Sequence, residues 1–503
     1  MRSRAGSSNH TIITAVVCLA LATVVAAMAS LNVALPDIAR DTHASQTQLS
    51  WIVDAYSLVF ASLLLLSGAF GDRYGRRTAL IAGLSIFGAG SALAMLAGSA
   101  GELIVLRGIL GLGASLVMPA TLSTITGTFP PERRTRAVSV WAAVAGGSAV
   151  LGLLSSGVLL EWFHWQSVFG LNVVLAAIAL IATLRFVPES ADPSAPRIDF
   201  AGAAISVVGL VALVYSIIEA PDQGWLAART LLGFAVAIVA GVVFVLVELR
   251  KEHPLLDPRI FRHKTLAAGS ISIFAQFFAF FGFTFVILQY LQLVRNDSPL
   301  VAAVSVLPMA AAMMPTARLA PTLVAKAGAR TVCASGLALV AAGLVILAQL
   351  DAASPYPLML AGLLVLGAGM GAAMTPATAA ITEALPPQQQ GVGSALNDLS
   401  REVGGAVGIA VVGSVLASVY RSHLDLSGVA SPVAERARES IALAEQLGPQ
   451  IAGHAETAFV SGMHTALICG AAAAFAAAIG VATMLRPARR RSEARVELAE
   501  PVA

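Results

Sequence analysis

The chain has 503 residues, of which 57% are hydrophobic and 12% are charged, and its formal net charge is +3. A soluble domain carries about 25% charged residues. This composition therefore excludes a soluble protein and indicates a membrane protein.

Runs of at least 18 apolar residues recur along the whole chain. Each is long enough to cross a hydrocarbon core of about 30 Å at a helical rise of about 1.5 Å per residue. We therefore predict an all-α membrane protein with fourteen transmembrane helices. The runs lie near residues 12–35, 48–70, 78–97, 102–122, 137–160, 166–186, 200–219, 230–249, 265–290, 299–324, 331–350, 355–379, 391–419 and 458–485.

The first run is too long for a secretory signal peptide and ends in LNVALP rather than in a small-residue cleavage site. We interpret it as a retained helix. Cys18, Cys333 and Cys469 all fall inside predicted spans, which argues against disulfides and against a metal cluster.

Basic residues are distributed unequally between the two sides. The N-terminus, the C-terminus and the connections that share their side hold 22 Lys and Arg residues, whereas the other side holds six. The positive-inside rule places the richer side in the cytoplasm. We expect a multi-pass protein of the cell (inner or plasma) membrane with both termini cytoplasmic.

A weak internal repeat suggests how the spans are grouped. Residues 321–330 (PTLVAKAGAR) align with 68–77 (GAFGDRYGRR) so that Gly328 falls on Gly75, and many transporters are built from internal repeats. We predict an N-terminal six-helix bundle in residues 1–190. A linker and two inserted helices follow in 191–264. Residues 265–503 form a C-terminal six-helix bundle with an outer loop at 420–457, a short surface helix near 433–446 and a basic cytoplasmic tail.

The segment 68–77 carries the most specific resemblance. Between the second and third runs, GAFGDRYGRR resembles the loop signature of the major facilitator superfamily, and fourteen spans point to its drug:proton antiporter branch. Residues 103–115 (LIVLRGILGLGAS) look like the branch's fourth-helix motif. LNVALP and WIVDAYSL (51–58) look like helix ends of quaternary-ammonium multidrug exporters and actinobacterial antibiotic-resistance exporters.

Two positions depart from the pattern of that branch. Ala27 stands where the branch usually has an aspartate, which removes one proton or cation site. The antiporter motif of the fifth helix keeps Gly152 and Gly157, but it has Leu153 for the usual proline and Ser156 for a glycine.

Asp54 and Arg107 are ionisable residues within predicted spans. Such groups are costly in hydrocarbon and are functional hypotheses by default. Both lie about 8 Å below the outer interface, so they could pair or face one cavity. We predict that Asp54 binds a proton or a substrate cation and that Arg107 is its partner. The alternative is a fixed ion pair between the second and fourth helices.

Asp398, Arg401 and Glu402 lie at helical spacings i, i+3 and i+4 on one face of the thirteenth span. Arg401 can satisfy one carboxylate, leaving the other to attract a cationic drug if this face lines a cavity. The alternative is that all three side chains reach the cytoplasmic surface.

The ninth span is rich in phenylalanine, with seven between 274 and 285, and also carries Gln276, Gln289 and Gln292. Aromatic walls suit flat lipophilic cations. The rings occupy every face of the helix, however, so we favour packing as the role of most of them.

The resemblance implies that the polar turn is a conformational latch of the outward-facing state. Glycines permit close helix approach and a tight reversal, while the aspartate can cap or pair with the neighbouring bundle. The predicted latch residues are Gly68, Asp72, Arg73, Gly75, Arg76 and Arg77.

These features favour a transporter and not an enzyme. The sequence has no phosphate-binding loop of the Walker type, so we expect a proton gradient as the energy source and no cofactor or metal. We predict proton-coupled efflux of a lipophilic, cationic antibiotic by alternating access, with puromycin as the first cargo to test. Expected partners are the drug, protons and lipid; nucleic acid is not one, and a monomer would suffice. The alternatives are transport of a metabolite or lipid in either direction, or a non-transporting membrane sensor.

Overall fold

The computed structural model of the chain describes residues 2–192, 198–385 and 390–485. Their regular secondary structure is entirely helical. The long helices of the first half are α1 Arg2–Thr42, α2 Gln46–Tyr74, α3 Arg76–Ala94, α4 Ala100–Thr128, α5 Pro131–Trp162, α6 Gln166–Phe186, α7 Phe200–Gln223 and α8 Ala228–Glu248.

The second half continues the helical pattern. Its α-helices are α9 Lys264–Gln289, α10 Pro299–Ser305, α11 Leu307–Leu347, α12 Tyr356–Thr382, α13 Gln390–His423, α14 Ser431–Glu439, α15 Ile441–Ala444 and α16 Pro449–Met484. A π-helical turn, Tyr290–Val294, extends α9, and short 3₁₀ turns occur at Pro258–Arg262 and Glu445–Leu447.

The described residues contain thirteen helical segments long and apolar enough to cross a membrane. One of them, Pro299–Leu347, has 49 residues, about 74 Å of helix and more than twice the thickness of a hydrocarbon core. Gly328 interrupts it with φ 82° and ψ 152°. This segment therefore makes two crossings, which gives the fourteen transmembrane helices predicted from the sequence.

Two turns mark the same face of the molecule. Gly75, between α2 and α3, has φ 116°, and Gly328 also has a positive φ, so both aligned glycines reverse the chain in a conformation that L side chains rarely adopt. We call this side the turn face and the opposite side the far face. The sequence predicts that the turn face is cytoplasmic.

The helices form two bundles and an inserted pair. In the N-terminal bundle, α1 packs on α5 and α6, and α4 packs on α2 and α3; in the C-terminal bundle, α9 packs on α12, α13 and α16. In the inserted pair, α7 lies against α2 of one bundle and α13 of the other, and α8 packs on α7. The predicted domain boundaries fall between α6 and α7 and at the first residue of α9.

The outer segment between α13 and α16 is ordered. Tyr420 donates its hydroxyl proton to the carbonyl of Ala437 at 2.7 Å, which holds α14 against the end of α13. The short surface helix predicted near 433–446 is present, but it is broken at Ser440, where φ is −162°. The predicted basic tail lies outside the described residues.

Candidate functional site

Asp54 lies in the interior of α2. A capping box between Ser45 and Gln48 fixes the start of this helix, and Asp54 follows about 12 Å further along the helix axis. Its side chain is 0% exposed, and neither carboxylate oxygen has a hydrogen-bond partner. One turn earlier on the same face, Ser50 lies against Gly413 of α13, where an added Cβ would come within 2.6 Å of the Ser50 hydroxyl. Asp54 therefore sits on the side of α2 that meets the other bundle.

Arg107 is fully buried on α4 and contacts the backbone of α2. Its Nε donates to the carbonyl of Ile52 at 2.9 Å, and a terminal nitrogen donates to Val53 at 3.5 Å. The guanidinium lies 4.4 Å from the ring centroid of Tyr56, whose hydroxyl donates to Val24 of α1 at 3.1 Å. Arg107 and Tyr56 thus connect α4, α2 and α1.

Asp54 and Arg107 do not form an ion pair. The structure brings both residues to one level of the bundle, but Arg107 meets the side of α2 that carries Ile52 and Tyr56. These two residues are each about 200° around the helix from Asp54 at 3.6 residues per turn. Gly111 fixes this register, since a Cβ there would collide with the carbonyl of Tyr56. The alternative of a fixed ion pair is therefore wrong for this conformation.

On α13, Arg401 pairs with the adjacent residue and not with the acid one helical turn away. Arg401 pairs with its neighbour Glu402, with 3.3 Å between Nε and Oε1, and the half-buried Asp398 lies one turn closer to the turn face. Glu402 is 2% exposed, and its second oxygen has no partner. The alternative in which all three side chains reach the surface is therefore wrong for Glu402.

The aromatic residues of α9 divide into two groups. Phe278, Phe283 and Phe285 are buried, as rings that pack against neighbouring helices would be. Four other rings are half-buried, at 274, 277, 280 and 281. The glutamines of this helix are also buried, and Gln292 donates to the carbonyl of Val33 on α1 at 3.0 Å.

Gly75 is held against Glu189, a residue that follows α6. Glu189 accepts hydrogen bonds from the backbone N–H of Arg77 at 3.1 Å and from the hydroxyl of Thr78 at 2.8 Å. Its carboxylate thereby caps the first turn of α3, where a negative charge is favoured by the helix dipole. An added Cβ on Gly75 would lie 2.5 Å from this carboxylate.

The charged residues of the turn pair locally. Asp72 accepts from Nε of Arg76 at 3.1 Å and from a terminal nitrogen at 3.0 Å, and the Arg76 guanidinium lies against Gly127 near the end of α4. The predicted pairing of Asp72 with the other bundle is not the one seen in this conformation. Arg73 lies 6.0 Å from the ring centroid of Tyr74.

The remaining contacts of the turn attach it to its own bundle. Arg77 donates to the carbonyl of Leu184 at 2.7 Å. A Cβ added to Gly68 would lie 3.6 Å from the side chain of Pro119. The predicted latch residues are thus held together by α2, α3, α4 and the end of α6.

The two glycines of the antiporter motif contact different partners. Gly152 packs on Ala26 of α1, whereas Gly157 packs on Pro299 and Leu300 of α10 in the other bundle. One turn beyond Gly157, the Glu161 carboxylate accepts from the hydroxyl of Ser298 and, at 3.2 Å, from the N–H of Leu300.

Described hydrogen bonds between the two bundles are concentrated at the far face. Besides Glu161 and Gln292, Arg40 of α1 pairs with Glu445 at 3.1 Å, and Arg436 donates to His43 at 3.3 Å. In the half nearer the turn face, a terminal nitrogen of Arg401 lies 3.8 Å from the sulfur of Met118 on α4. The far end of the space between the bundles is therefore tied closed.

The sequence profile of the Major Facilitator Superfamily matches residues 17–409. The chain belongs to this superfamily. Its relatives include the "Multidrug efflux pump LfrA" of Mycolicibacterium smegmatis, 35% identical over 465 residues that make up 89% of this chain and 91% of the relative. The "Puromycin resistance protein pur8" of Streptomyces alboniger is 31% identical over 408 residues, 80% of this chain and 81% of the relative.

The fold of the superfamily is also seen in solved structures. A bacterial homologue of the human lysosomal transporter Spinster, crystallised in an inward-facing and unoccupied conformation, aligns with a TM-score of 0.66 at 15% sequence identity. The alignment covers 95% of this chain and 98% of that one. The architecture of two bundles is thus that of a major facilitator transporter.

The departures from the superfamily motifs are structurally accommodated. Ala27 is 2% exposed, so the position of the missing aspartate is filled by a buried apolar residue. Leu153 is also buried, and the Ser156 hydroxyl has no partner.

Three residues make tertiary hydrogen bonds that the sequence did not predict. Glu189 and Glu161 each accept backbone N–H groups at the start of a helix distant in sequence, and Gln292 reaches α1. The only available signal for Glu189 was an acid immediately after a proline at a span end. Nothing in the sequence near Glu161 or Gln292 identifies their partners.

Proposed function

We propose that this major facilitator protein expels a lipophilic, cationic antibiotic or drug from the cell in exchange for protons, by alternating access between its two bundles, and so confers resistance. The observation that carries the proposal is Asp54, a carboxyl group fully buried between the bundles with both oxygens unpartnered. The energy source would be the proton gradient across the cell membrane, without a cofactor. A monomer in a lipid bilayer would suffice.

The proposed coupling rests on the cost of a buried charge. An ionised carboxylate withdrawn from water without a hydrogen bond costs several kcal/mol. In this conformation we therefore assign a proton to Asp54. When the bundles move and the environment of Asp54 hydrates, Asp54 releases that proton to water. Arg107, which is bonded to the Ile52 carbonyl on the opposite side of α2, does not pair with Asp54 in this conformation.

The positive-inside rule predicts that the turn face is cytoplasmic, and with that orientation the conformation closed at the far face would be the inward-facing one. In the proposed cycle the drug enters from the cytoplasm or the inner leaflet and contacts Asp398, Arg401 and Glu402. The ties at the far face then break, and the turn 68–77 acts as the latch of the outward-facing state. In this conformation the contacts with Glu189 attach the turn to its own bundle.

The choice of cargo is supported by two kinds of observation. The relatives carry names that refer to multidrug efflux and to puromycin resistance. In addition, the free oxygen of Glu402 offers a negative group beside the aromatic residues of α9. We propose puromycin, a weak base, as the first compound to test.

The test is efflux in proteoliposomes with an imposed pH gradient. The wild type is expected to move puromycin only when the gradient is present, and Asp54→Asn is expected to abolish gradient-driven movement because it removes the titratable group. Asp54→Glu should retain part of it. Glu435→Gln, an exposed acid on α14, is the matched control and should behave as the wild type does.

Two outcomes would contradict the proposal. Gradient-driven efflux that survives in Asp54→Asn would remove the assigned role of Asp54. If the folded wild type moves none of a panel of lipophilic cations under any gradient, the drug-efflux function fails, and a metabolite or lipid cargo or a non-transporting sensor becomes the better reading.

A further inference from the structure

Arg401 occupies a position between the two bundles. Its guanidinium carbon lies 5.5 Å from the ring centroid of Phe277 on α9, and a terminal nitrogen lies 3.8 Å from the Met118 sulfur on α4. α9 and α13 touch closely beneath it, since an added Cβ on Gly404 would collide with the backbone of Phe274. The guanidinium therefore projects from this tight helix pair toward the opposite bundle.

The neighbouring acid is only half satisfied. Glu402 accepts one hydrogen bond from Arg401, at 3.3 Å, while its other oxygen has no partner, although the side chain is only 3% exposed. A carboxylate has about four lone-pair positions, and an unmet acceptor is costly in a buried site. Glu402 can thus accept a second cationic or donor group without losing its position.

The surface under Arg401 is aromatic. The rings of Phe277, Phe280 and Phe281 pack on one another with centroid separations of 5.0 to 6.3 Å, and all three are half-buried. A ring face next to an acid attracts a cation both through the ring quadrupole and through charge. In this structure the cation at that position is the protein's own arginine.

We infer that Arg401 is a resident cation, which holds the place over Phe277 and beside Glu402 that the cationic group of the drug takes during transport. This inference rests on the proposed export of cationic drugs. Binding would move the Arg401 guanidinium aside, so that only one cation at a time lies over the Phe277 ring. After release, Arg401 returns to Phe277 and Glu402 and opposes rebinding of the drug.

The assignment makes Arg401 a specificity-determining residue. A cation must compete with the guanidinium, whereas a neutral compound of the same shape gains nothing from Glu402. Removing the positive charge of Arg401 should therefore strengthen binding of cations selectively. A residue that merely holds α13 in place would affect charged and neutral compounds alike.

The experiment measures equilibrium binding to the full-length protein in lipid nanodiscs. The probes are tetraphenylphosphonium, which carries a permanent charge, and triphenylphosphine oxide as a neutral analogue. Arg401→Met is expected to bind tetraphenylphosphonium roughly threefold to tenfold more tightly than the wild type, with binding of the neutral probe unchanged within about twofold. Arg401→Lys keeps the charge and should stay close to the wild type. Weaker or unchanged cation binding by folded Arg401→Met would overturn the inference.

A second variant tests the position of the bound cation independently. In the Arg401→Met background, Phe277→Leu should weaken tetraphenylphosphonium binding by roughly threefold or more, since the ring face is lost. An unchanged affinity would show that the cation does not sit over Phe277 and would overturn the inference.

Failure of the inference can be told apart from failure of the proposed function. If the wild type exports tetraphenylphosphonium under a pH gradient and Arg401→Met binds it no better, the function stands and the resident-cation role of Arg401 is wrong. If neither the wild type nor Arg401→Met binds or exports lipophilic cations, both proposals fail.

Discussion

Gly75 is the residue at which sequence, conformation and packing are most tightly linked. Its φ of 116° and ψ of 131° lie in a region that only glycine adopts readily. The space where a side chain would stand is taken by the Glu189 carboxylate, which caps α3. Two independent constraints, one on the backbone and one steric, therefore act at this position.

Gly75→Ala is expected to destabilise the fold and slow transport. Backbone strain of this kind costs about 1–3 kcal/mol, and the displaced Glu189 would no longer cap α3. Thermal unfolding in detergent and drug efflux in proteoliposomes measure the two effects. Gly98→Ala is the matched control, because Gly98 also lies between two helices, α3 and α4, but an added Cβ there would meet nothing within 4 Å. Equal melting temperatures for the two variants would contradict this explanation.

Asp54 is recognisable from the sequence, but its position relative to Arg107 is not. An acid within an apolar run is recognisable from the sequence because hydrocarbon excludes charge. Its relation to Arg107 was not predictable, because the register between α2 and α4 depends on the close approach of Gly111 to the Tyr56 backbone. That contact directs Arg107 to carbonyl groups and leaves Asp54 facing the other bundle.

The inserted pair α7 and α8 behaves as a hairpin closed at its base. Lys251, just beyond α8, lies 2.5 Å from Asp199, the residue that caps α7, and 2.9 Å from the buried Glu248. Burial acts to raise the pKa of Asp199, but hydrogen bonds from Lys251 and Gly202 outweigh it and hold this pKa below the usual 3.8. Burial likewise acts to lower the pKa of Lys251, but hydrogen bonds to Asp199 and Glu248 raise it above 10.5.

The far end of the hairpin contacts both bundles. Trp51 of α2 donates to Glu219 of α7 at 2.8 Å, while Ser414 of α13 donates to the carbonyl of Ile217 at 2.6 Å. The hairpin thus spans the junction between the bundles. Its presence was predictable from hydropathy, but its place beside α2 and α13 was not.

Lys251→Gln is expected to lower stability by about 1–2 kcal/mol, because Glu248 loses its charged partner. The difference in melting temperature from the wild type should be constant between about pH 6 and 10. It should shrink as pH rises above 10.5, since a group with a raised folded pKa contributes stability that is lost through deprotonation. On the acid side it should shrink below pH 3.8, where Asp199 becomes protonated.

The control for this prediction is Lys326→Gln, which removes an exposed lysine. It should leave the melting temperature unchanged throughout this pH range. A pH-independent difference for Lys251→Gln at both extremes would show that packing of the side chain, and not its charge, closes the hairpin.

At the scale of the whole molecule, the two bundles are joined across the far face by contacts from several helices. Gly157 and Glu161 of α5 engage α10, Gln292 of α9 engages α1, and Arg40 engages Glu445. Each contact is between residues remote in sequence. Alternating access requires that all of them separate once in each cycle.

A covalent link between the two bundles at the far face is expected to stop transport. In a background without the native cysteines, Glu161→Cys combined with Ser298→Cys should be joined by a short bis-methanethiosulfonate crosslinker, because the native side chains are hydrogen-bonded. The linked protein should still bind drug but should not release it at the far face, and reduction should restore efflux. Each single cysteine variant treated with the same reagent is the control. Efflux at the full rate by fully linked protein would show that the far face need not open there.

The sequence by itself determined that the chain lies in a membrane, how many times it crosses and which family it belongs to, because hydropathy, charge asymmetry and turn glycines are local properties of the chain. It also pointed to Asp54, Arg107 and the group on α13, since ionisable residues stand out in an apolar background. Only the tertiary structure decided that Arg107 bonds to backbone carbonyls. It also decided that Arg401 pairs with Glu402 and lies over Phe277. The tertiary structure alone gives the partners of three residues that hydrogen-bond to distant segments, Glu161, Glu189 and Gln292. These depend on helix register and close glycine contacts between distant segments, and in a membrane nearly every helix face is apolar, so the pattern along one helix does not reveal its partner.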